Sequence, residues 1–295
     1  MLNTSAHLAS PARLLDALAH ARSVAVTSYV LRPDGDLVRE LVAAASRGAR
    51  VDVSLAGDSY AQKNVGSDND ASAKLIRAAG GRVFYDRQFK GQSPLHMKSI
   101  VADGSAFLDD RNWTFGDDET ILEDRDPKDV ALVRRSQFFA PQQNAVLTTD
   151  KGAALEREAQ AVRAGRGHRI DVETESFSGG KVAQALRDRA LRGERVRLLV
   201  LEGDVSKPRA RNALTQLERA GVEVRGLGAR DPAAGAEKMA LAGDRAWIGS
   251  ANATSWPANT VDWGLVTTDA AIAAHLRRHF ERDWAAASPL VLAGK

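Results

Sequence analysis

Apolar and polar positions along this 295-residue chain fall into two alternating rhythms. Residues 38–55, VRELVAAASRGARVDVSL, begin with Ala and Leu at helical spacing, pass an Arg-Gly pair and end in an alternating β-branched run. Residues 183–200, AQALRDRALRGERVRLLV, run in the same order. Gly48 and Gly193 stand where a helix C-cap needs positive φ. A second helix, glycine and strand follow in LIRAAGGRVFYD (75–86) and again in QLERAGVEVRGL (216–227). Aligning Gly80 with Gly221 sets an offset of 141, which also carries Asp103 onto Asp244 and KSIVADGSAFL onto MALAGDRAWIG. Further on, KDVALV (128–133) is matched with VDWGLV (261–266) as a strand.

The chain therefore reads as a tandem duplication, with residues 1–145 as one unit and 146–295 as the other. The helical stretch 151–165 serves as connector. Strands alternating with helices predict an α/β fold in which each half is a mixed sheet flanked by helices. Two such halves are expected to pack about a pseudo-twofold axis, their corresponding loops facing one another across a cleft. The polar segment GDSYAQKNVGSDND (57–70) is expected over that cleft.

Composition narrows the choices modestly. Hydrophobic residues make up 44% and charged residues 27%, as in an ordinary globular protein. No apolar run approaches the roughly 18 residues of a membrane span, and MLNTSAHLASPARLLDALAHA lacks the basic start and apolar block of a signal peptide. A cytoplasmic location is expected. The absence of cysteine excludes disulfides, thiolate metal sites and cysteine nucleophiles. Lys and Arg exceed Asp and Glu by 41 to 38, and the basic stretches carry interleaved acids, the pattern of solvated helix faces. With aromatics at 5%, nothing suggests a base-stacking platform, and no amphipathic membrane-binding helix stands out.

Candidate chemistry concentrates in LHMKSIVADG (95–104). Strand alternation places His96 and Lys98 on one face about 7 Å apart. A neutral imidazole can attack or accept a proton, and a nearby ammonium can neutralise an oxyanion. Phosphoryl transfer needs that pairing. Asn112, past the following turn, offers amide donors to phosphate oxygens without adding charge.

HMKSIVAD fits HxKxxxxD, RNW (111–113) follows it, and GSANATSW (249–256) in the second half fits GSxN. In these motifs, in its paired repeats and in the terminal HFERDW the chain resembles the phospholipase D superfamily. The resemblance implies two phospholipase D-like halves and a metal-independent phosphodiesterase that hydrolyses or transfers a phosphodiester of a phospholipid head group or nucleic acid. His96 would form a phosphohistidine, and Lys98, Asn112, Ser250 and Asn252 would bind the phosphate. Asp103 would fix a turn, and Asp129 would orient His96. No cofactor and no metal are implied. His275 and His279 are four residues apart but are read as part of a terminal amphipathic helix. No obligate protein partner is evident, and a monomer with an internal pseudo-dimer is expected.

The second half departs from the pattern. At the offset of 141, Glu237 stands at the His position and Met239 at the Lys position, leaving Asp244 alone in place; shifting the register to use Lys238 would break the alternation. In the first half Asp109 and Asp110 replace the GS that precedes the Asn, with one extra residue; they would repel phosphate unless Arg111 or Lys98 compensates or the turn points them to solvent. Two expectations follow. In one, Glu237 is the general acid, its pKa raised by Asp262, the counterpart of Asp129. In the other, the protein is an impaired relative that binds an anionic ligand or a protein partner.

Overall fold

The structure is a computed structural model and describes residues 1–57, 65–86, 94–116, 119–228, 237–254, 260–290 and 292. The first sheet contains β1 (His7–Ala9), β2 (Ser23–Ser28), β3 (Arg50–Leu55), β4 (Arg82–Tyr85), β5 (Ser99–Ala102), β6 (Ser105–Asp109) and β7 (Ile121–Asp124). The second contains β8 (Leu147–Thr148), β9 (Arg169–Thr174), β10 (Arg195–Leu201), β11 (Glu223–Leu227), β12 (Met239–Ala242), β13 (Arg245–Gly249), β14 (Gly264–Thr267) and β15 (Ser288–Pro289). The helices are α1 (Pro11–His20), α2 (Asp36–Ser46), α3 (Val65–Ala78), α4 (Pro127–Ser136), α5 (Lys151–Ala164), α6 (Lys181–Ala190), α7 (Glu202–Val205), α8 (Pro208–Arg219) and α9 (Ala270–Ala286).

Strand order repeats. The first sheet runs β1-β7-β6-β5-β2-β3-β4, and the second runs β8-β14-β13-β12-β9-β10-β11 with β15 added at its edge. β2 and β9 sit at the centre, each parallel to the next strand and antiparallel to the hairpin strand on its other side. Their runs SVAVTS and RIDVET are buried at nearly every position because helices cover both faces.

Five layers result. One outer core packs α1, α2 and α3 on the first sheet through Leu14, Leu41, Val53 and Ile100. The other packs α5, α6 and α8 on the second through Val162, Leu186, Leu198 and Ala240. Between the sheets, Leu132 of α4 and Leu276 of α9 join Met97, Val101 and Leu108 of the first half to Met239, Leu241 and Ile248 of the second.

Three sequence expectations change. KDVALV is helical: Asp126 accepts from the Lys128 amide at 2.8 Å and Pro127 sits at the first position, so α4 starts where a strand was expected. The true counterpart of β14 is ILED, strand β7. Residues 151–165 are not a connector, since α5 covers the second sheet as α1 covers the first. Of the segment expected over the cleft, residues 58–64 lie outside the described residues and Val65 onward belongs to α3.

The register between halves is 140, not 141. Val24 of β2 pairs with Ala102, and its counterpart Ile170 of β9 pairs with Ala242. Asp109 N–H donates to the Lys98 carbonyl at 3.1 Å, and Gly249 N–H to the Lys238 carbonyl at 3.2 Å. Lys238 therefore takes the place of Lys98, Glu237 the place of Met97, and Asn252 the place of Asn112 with no extra residue. The mismatch arose at the hairpin turn. Asp103 (φ 47°) and Gly243 (φ 59°) occupy the same left-handed position, so the second half carries its Asp one residue later. Both carboxylates still cap backbone amides, Asp103 that of Ser23 at 2.9 Å and Asp244 that of Arg166 at 3.0 Å.

Because the middle layer draws on both halves, they should unfold together. Urea unfolding followed by far-UV circular dichroism and by tryptophan fluorescence should coincide in one transition. Leu276→Ala, at a fully buried position of that layer, should lower stability by about 3 kcal/mol in the same transition. Two resolved transitions would show that the halves fold independently.

Candidate active site

His96 follows Leu95, which forms a parallel bridge with Val261 of the other half; the His96 amide donates to the Val261 carbonyl at 3.0 Å. This contact lays the lead-in to β5 against the lead-in to β14 and fixes the site across the halves. The His96 ring is 16% exposed, and its Nδ1 lies 2.8 Å from Asp262 Oδ1. Asp262 is in turn fixed by Ser250 Oγ, which donates at 2.8 Å, and by the Thr260 hydroxyl. The Trp263 amide donates to Ser250 Oγ at 3.0 Å and completes the turn. With Nδ1–H donating to Asp262, Nε2 keeps its lone pair toward the cleft.

Lys98 Nζ lies 3.2 Å from His96 Nε2 and 5.4 Å from the centre of the Tyr29 ring, and the Tyr29 and His96 rings are 5.0 Å apart. Lys238, the residue before β12, reaches the same region, 3.1 Å from the Asp110 carbonyl and 3.3 Å from the Glu175 carboxylate. Both ammonium groups are almost fully buried. Burial, and next the like charge of Lys238, brings Lys98 down to about 7. Burial and then Lys98 also hold His96 below its ordinary value, against the pull of Asp262. Burial alone would raise the carboxylates, yet His96 and Lys98 hold Asp262 well below the usual range, and Lys238 and His96 hold Glu175 near 2. The arrangement is a small buried site with two cations, two carboxylates and an imidazole whose Nε2 lies against Lys98 Nζ.

The residues expected from sequence divide clearly. His96 and Lys98 meet as expected. Asp129 does not orient His96: it lies in the first turn of α4, where it accepts from Asn144 Nδ2 and from Asn3 Nδ2 at 3.2 Å. Asp262 takes that role, and its strand counterpart is Glu119, not Asp129, because Gly264 and Ile121 hold equivalent places beside Gly249 and Asp109. Glu119 is occupied in accepting from the Thr114 amide at 2.9 Å. Ser250 is committed to Asp262. Asn252 Oδ1 accepts from the Ser176 amide at 3.2 Å, shaping the loop that carries Glu175.

Asn112 Oδ1 is buried and accepts no hydrogen bond among the described residues. It lines a cavity bounded by Arg32, Gly35 and Arg39 at the start of α2. Asp103 fixes the turn. Asp109 and Asp110 are not turned to solvent: both are buried, accepting from the Trp113 amide at 2.7 Å and the Thr120 amide at 3.0 Å.

Glu237 is the largest correction. It sits at the Met97 position, on the strand face opposite Lys238, buried against Thr120 of the first half and His279 of α9. Met239 belongs to the middle core and holds no place in the site. Alternation had favoured the wrong register because the lysine was counted from the displaced Asp. Reading back from Gly243 instead of Asp244 would have found Lys238.

Residues 160–284 match the family described as cardiolipin synthase, PLD-like domain. Among solved structures, a phosphatidylserine synthase from Haemophilus influenzae superposes with a TM-score of 0.64 at 12% identity, over 98% of this chain and 89% of that one. A polyphosphate kinase from Porphyromonas gingivalis gives 0.61 at 19%, over 92% of this chain and 48% of that one, so this chain spans about half the kinase's length. At these identities the likeness is one of fold. No curated protein sequence matches the chain.

The electrostatics of the site can be read without any substrate. Lys238→Met should raise the Lys98 pKa above 7 by removing the like charge, and Asp262→Asn should lower it. Carbon-13 shifts of the lysine ε positions followed against pH would report both. An unchanged Lys98 in the Lys238→Met protein would show that the two ammonium groups do not share a site.

Proposed function

We propose, for a chain that belongs to the phospholipase D superfamily, that it catalyses phosphoryl transfer at a phosphodiester through a phosphohistidine on His96. The observation that carries this reading is the chain of contacts Ser250–Asp262–His96–Lys98, with Lys238 beside it. Asp262 holds the tautomer whose Nε2 attacks phosphorus in line. The N–P bond forms as the bond to the leaving oxygen breaks, and Lys98 and Lys238 neutralise the equatorial oxygens. A water or an acceptor alcohol then attacks the phosphohistidine on the same line and releases His96. A phospholipid head group and a nucleic acid both present the required diester, and the chemistry of the site calls on no metal.

The proton for the leaving oxygen is the weak point of the site. In the register of 140 the residue two before Lys238 is Ala236, where the first half has His96. Glu237 faces away and is not the acid. Of the groups in contact with His96, Lys98, at about 7, is able to give a proton near neutrality. This dependence favours substrates with good leaving groups. It also supports the second reading, an anion-binding protein with slow or no turnover, because two buried ammonium groups attract an anion whether or not it reacts.

Rates on bis(p-nitrophenyl) phosphate should follow a bell. Activity should rise as His96 loses its proton, below the ordinary 6.5, and fall as Lys98 loses its charge above about 7. His96→Ala should cost several orders of magnitude with the fold intact. Lys238→Met should cost on the order of 100-fold, while Met239→Lys gains nothing. Ala236→His, which writes His-x-Lys into the second half, should speed poor alkoxide leaving groups far more than nitrophenolate. Wild type that binds phosphodiesters tightly yet turns none over would establish the binding reading.

A further inference from the structure

We propose that Glu237, His275 and His279 form a binding site for a divalent transition-metal ion of the zinc class, tying α9 to the start of β12. The inference does not rest on the phosphodiester reading. One ligand atom from each residue lies within 4.8 Å of the other two. The histidines are one turn apart on α9, their rings 4.1 Å between centres and tilted by 47°. His279 Nδ1 lies 3.2 Å from Glu237 Oε2. Thr120 Oγ1, from the first half, contacts the Glu237 carboxylate and lies 3.0 Å from His275 Nε2, where a fourth ligand or its anchor belongs. Tetrahedral zinc, with bonds of about 2.0–2.1 Å, puts its ligand atoms about 3.4 Å apart and asks these atoms to close by up to about 1.4 Å. Two imidazoles and one carboxylate are a donor set that zinc-class ions take, whereas magnesium and calcium prefer oxygen alone.

The duplication supplies the control. The helices α4 and α9 start at equivalent caps, Asp126 and Asp269, so Leu132 and Ser136 stand where the second half has His275 and His279. Met97 stands where it has Glu237. In the first half these three positions form an ordinary core contact, with Ser136 Oγ against Met97 Sδ at 3.4 Å and Leu132 buried. The fold does not need metal-ligating groups there. The second half nevertheless carries three ligating side chains at all three positions, two of them buried. The surroundings hold acids and arginines together, Arg278 and Arg282 acting on His275 and Arg282 pairing with Asp283 at 3.0 Å. Glu173 accepts from the Glu237 amide at 3.1 Å, its Oε2 is buried with no hydrogen-bond partner among the described residues, and Asp283 lies near, with Arg111 as counter-charge.

The test uses the full chain stripped with chelator and reloaded with zinc or cobalt alone. We expect one ion retained per chain after dialysis. The cobalt form should show the visible absorption of a tetrahedral nitrogen–oxygen site, and zinc should raise the thermal midpoint by about 5 °C. A triple variant, Glu237→Met with His275→Leu and His279→Ser, copies the first half and should fold while losing the ion, the absorption and the zinc-dependent shift. His279→Ser alone should weaken retention at least 10-fold. Wild type that retains no ion and shows no cobalt absorption overturns the proposal, as does a triple variant that binds as wild type does.

Discussion

Two ammonium groups held side by side out of water are the constraint around which the rest of the structure is arranged. Lys98 and Lys238 directly precede equivalent strands of the two sheets, they repel one another, and neither charge would be stable there without carboxylates beside it. Their charges are offset by Asp262 and Glu175, both supplied by the second half, while the nucleophile comes from the first. The Leu95–Val261 bridge and the shared middle layer hold these groups at hydrogen-bond distance. Fold and chemistry meet at one point: the cleft exists because the sheets pack through α4 and α9, and its charge arises because both sheets aim a lysine into it.

Much of this was legible in the sequence, and the failures have physical causes. The duplication, the α/β architecture and the pairing of His96 with Lys98 follow from periodicity and alternation. The error of one residue between the halves came from treating an Asp at a hairpin turn as a fixed marker. Asp103 and Asp244 do a similar job from adjacent turn positions, Asp103 accepting from the amide of Ser23 that starts β2 and Asp244 from the amide of Arg166 ahead of β9. Glycine at 243 takes over the left-handed conformation that Asp103 adopts in the first half. Position along a strand is set by pairing and burial, which a sequence shows only indirectly.

Asp262 was visible as an acid yet was given to the wrong partner. The misassignment of KDVALV as a strand made Asp129 its counterpart, although the Asp-Pro-Lys start of α4 signals a helix. Tyr29 and Glu175 carried no sequence signal at all. They lie beyond the ends of β2 and β9 and reach the cleft only because those strands are central in their sheets.

The two halves are joined in one chain, and this has a consequence for how such a site can change. In an assembly of identical subunits every substitution appears on both sides of the axis, so a residue harmful in one place is lost from both. Within a single chain each codon is answerable for one side only. That freedom is recorded at three matched places of the middle layer: Met97 against Glu237, Leu132 against His275, and Ser136 against His279. Half of an ancestral symmetry can thus be kept for one task while the other half is rewritten, without the gene ever passing through a form in which both are broken.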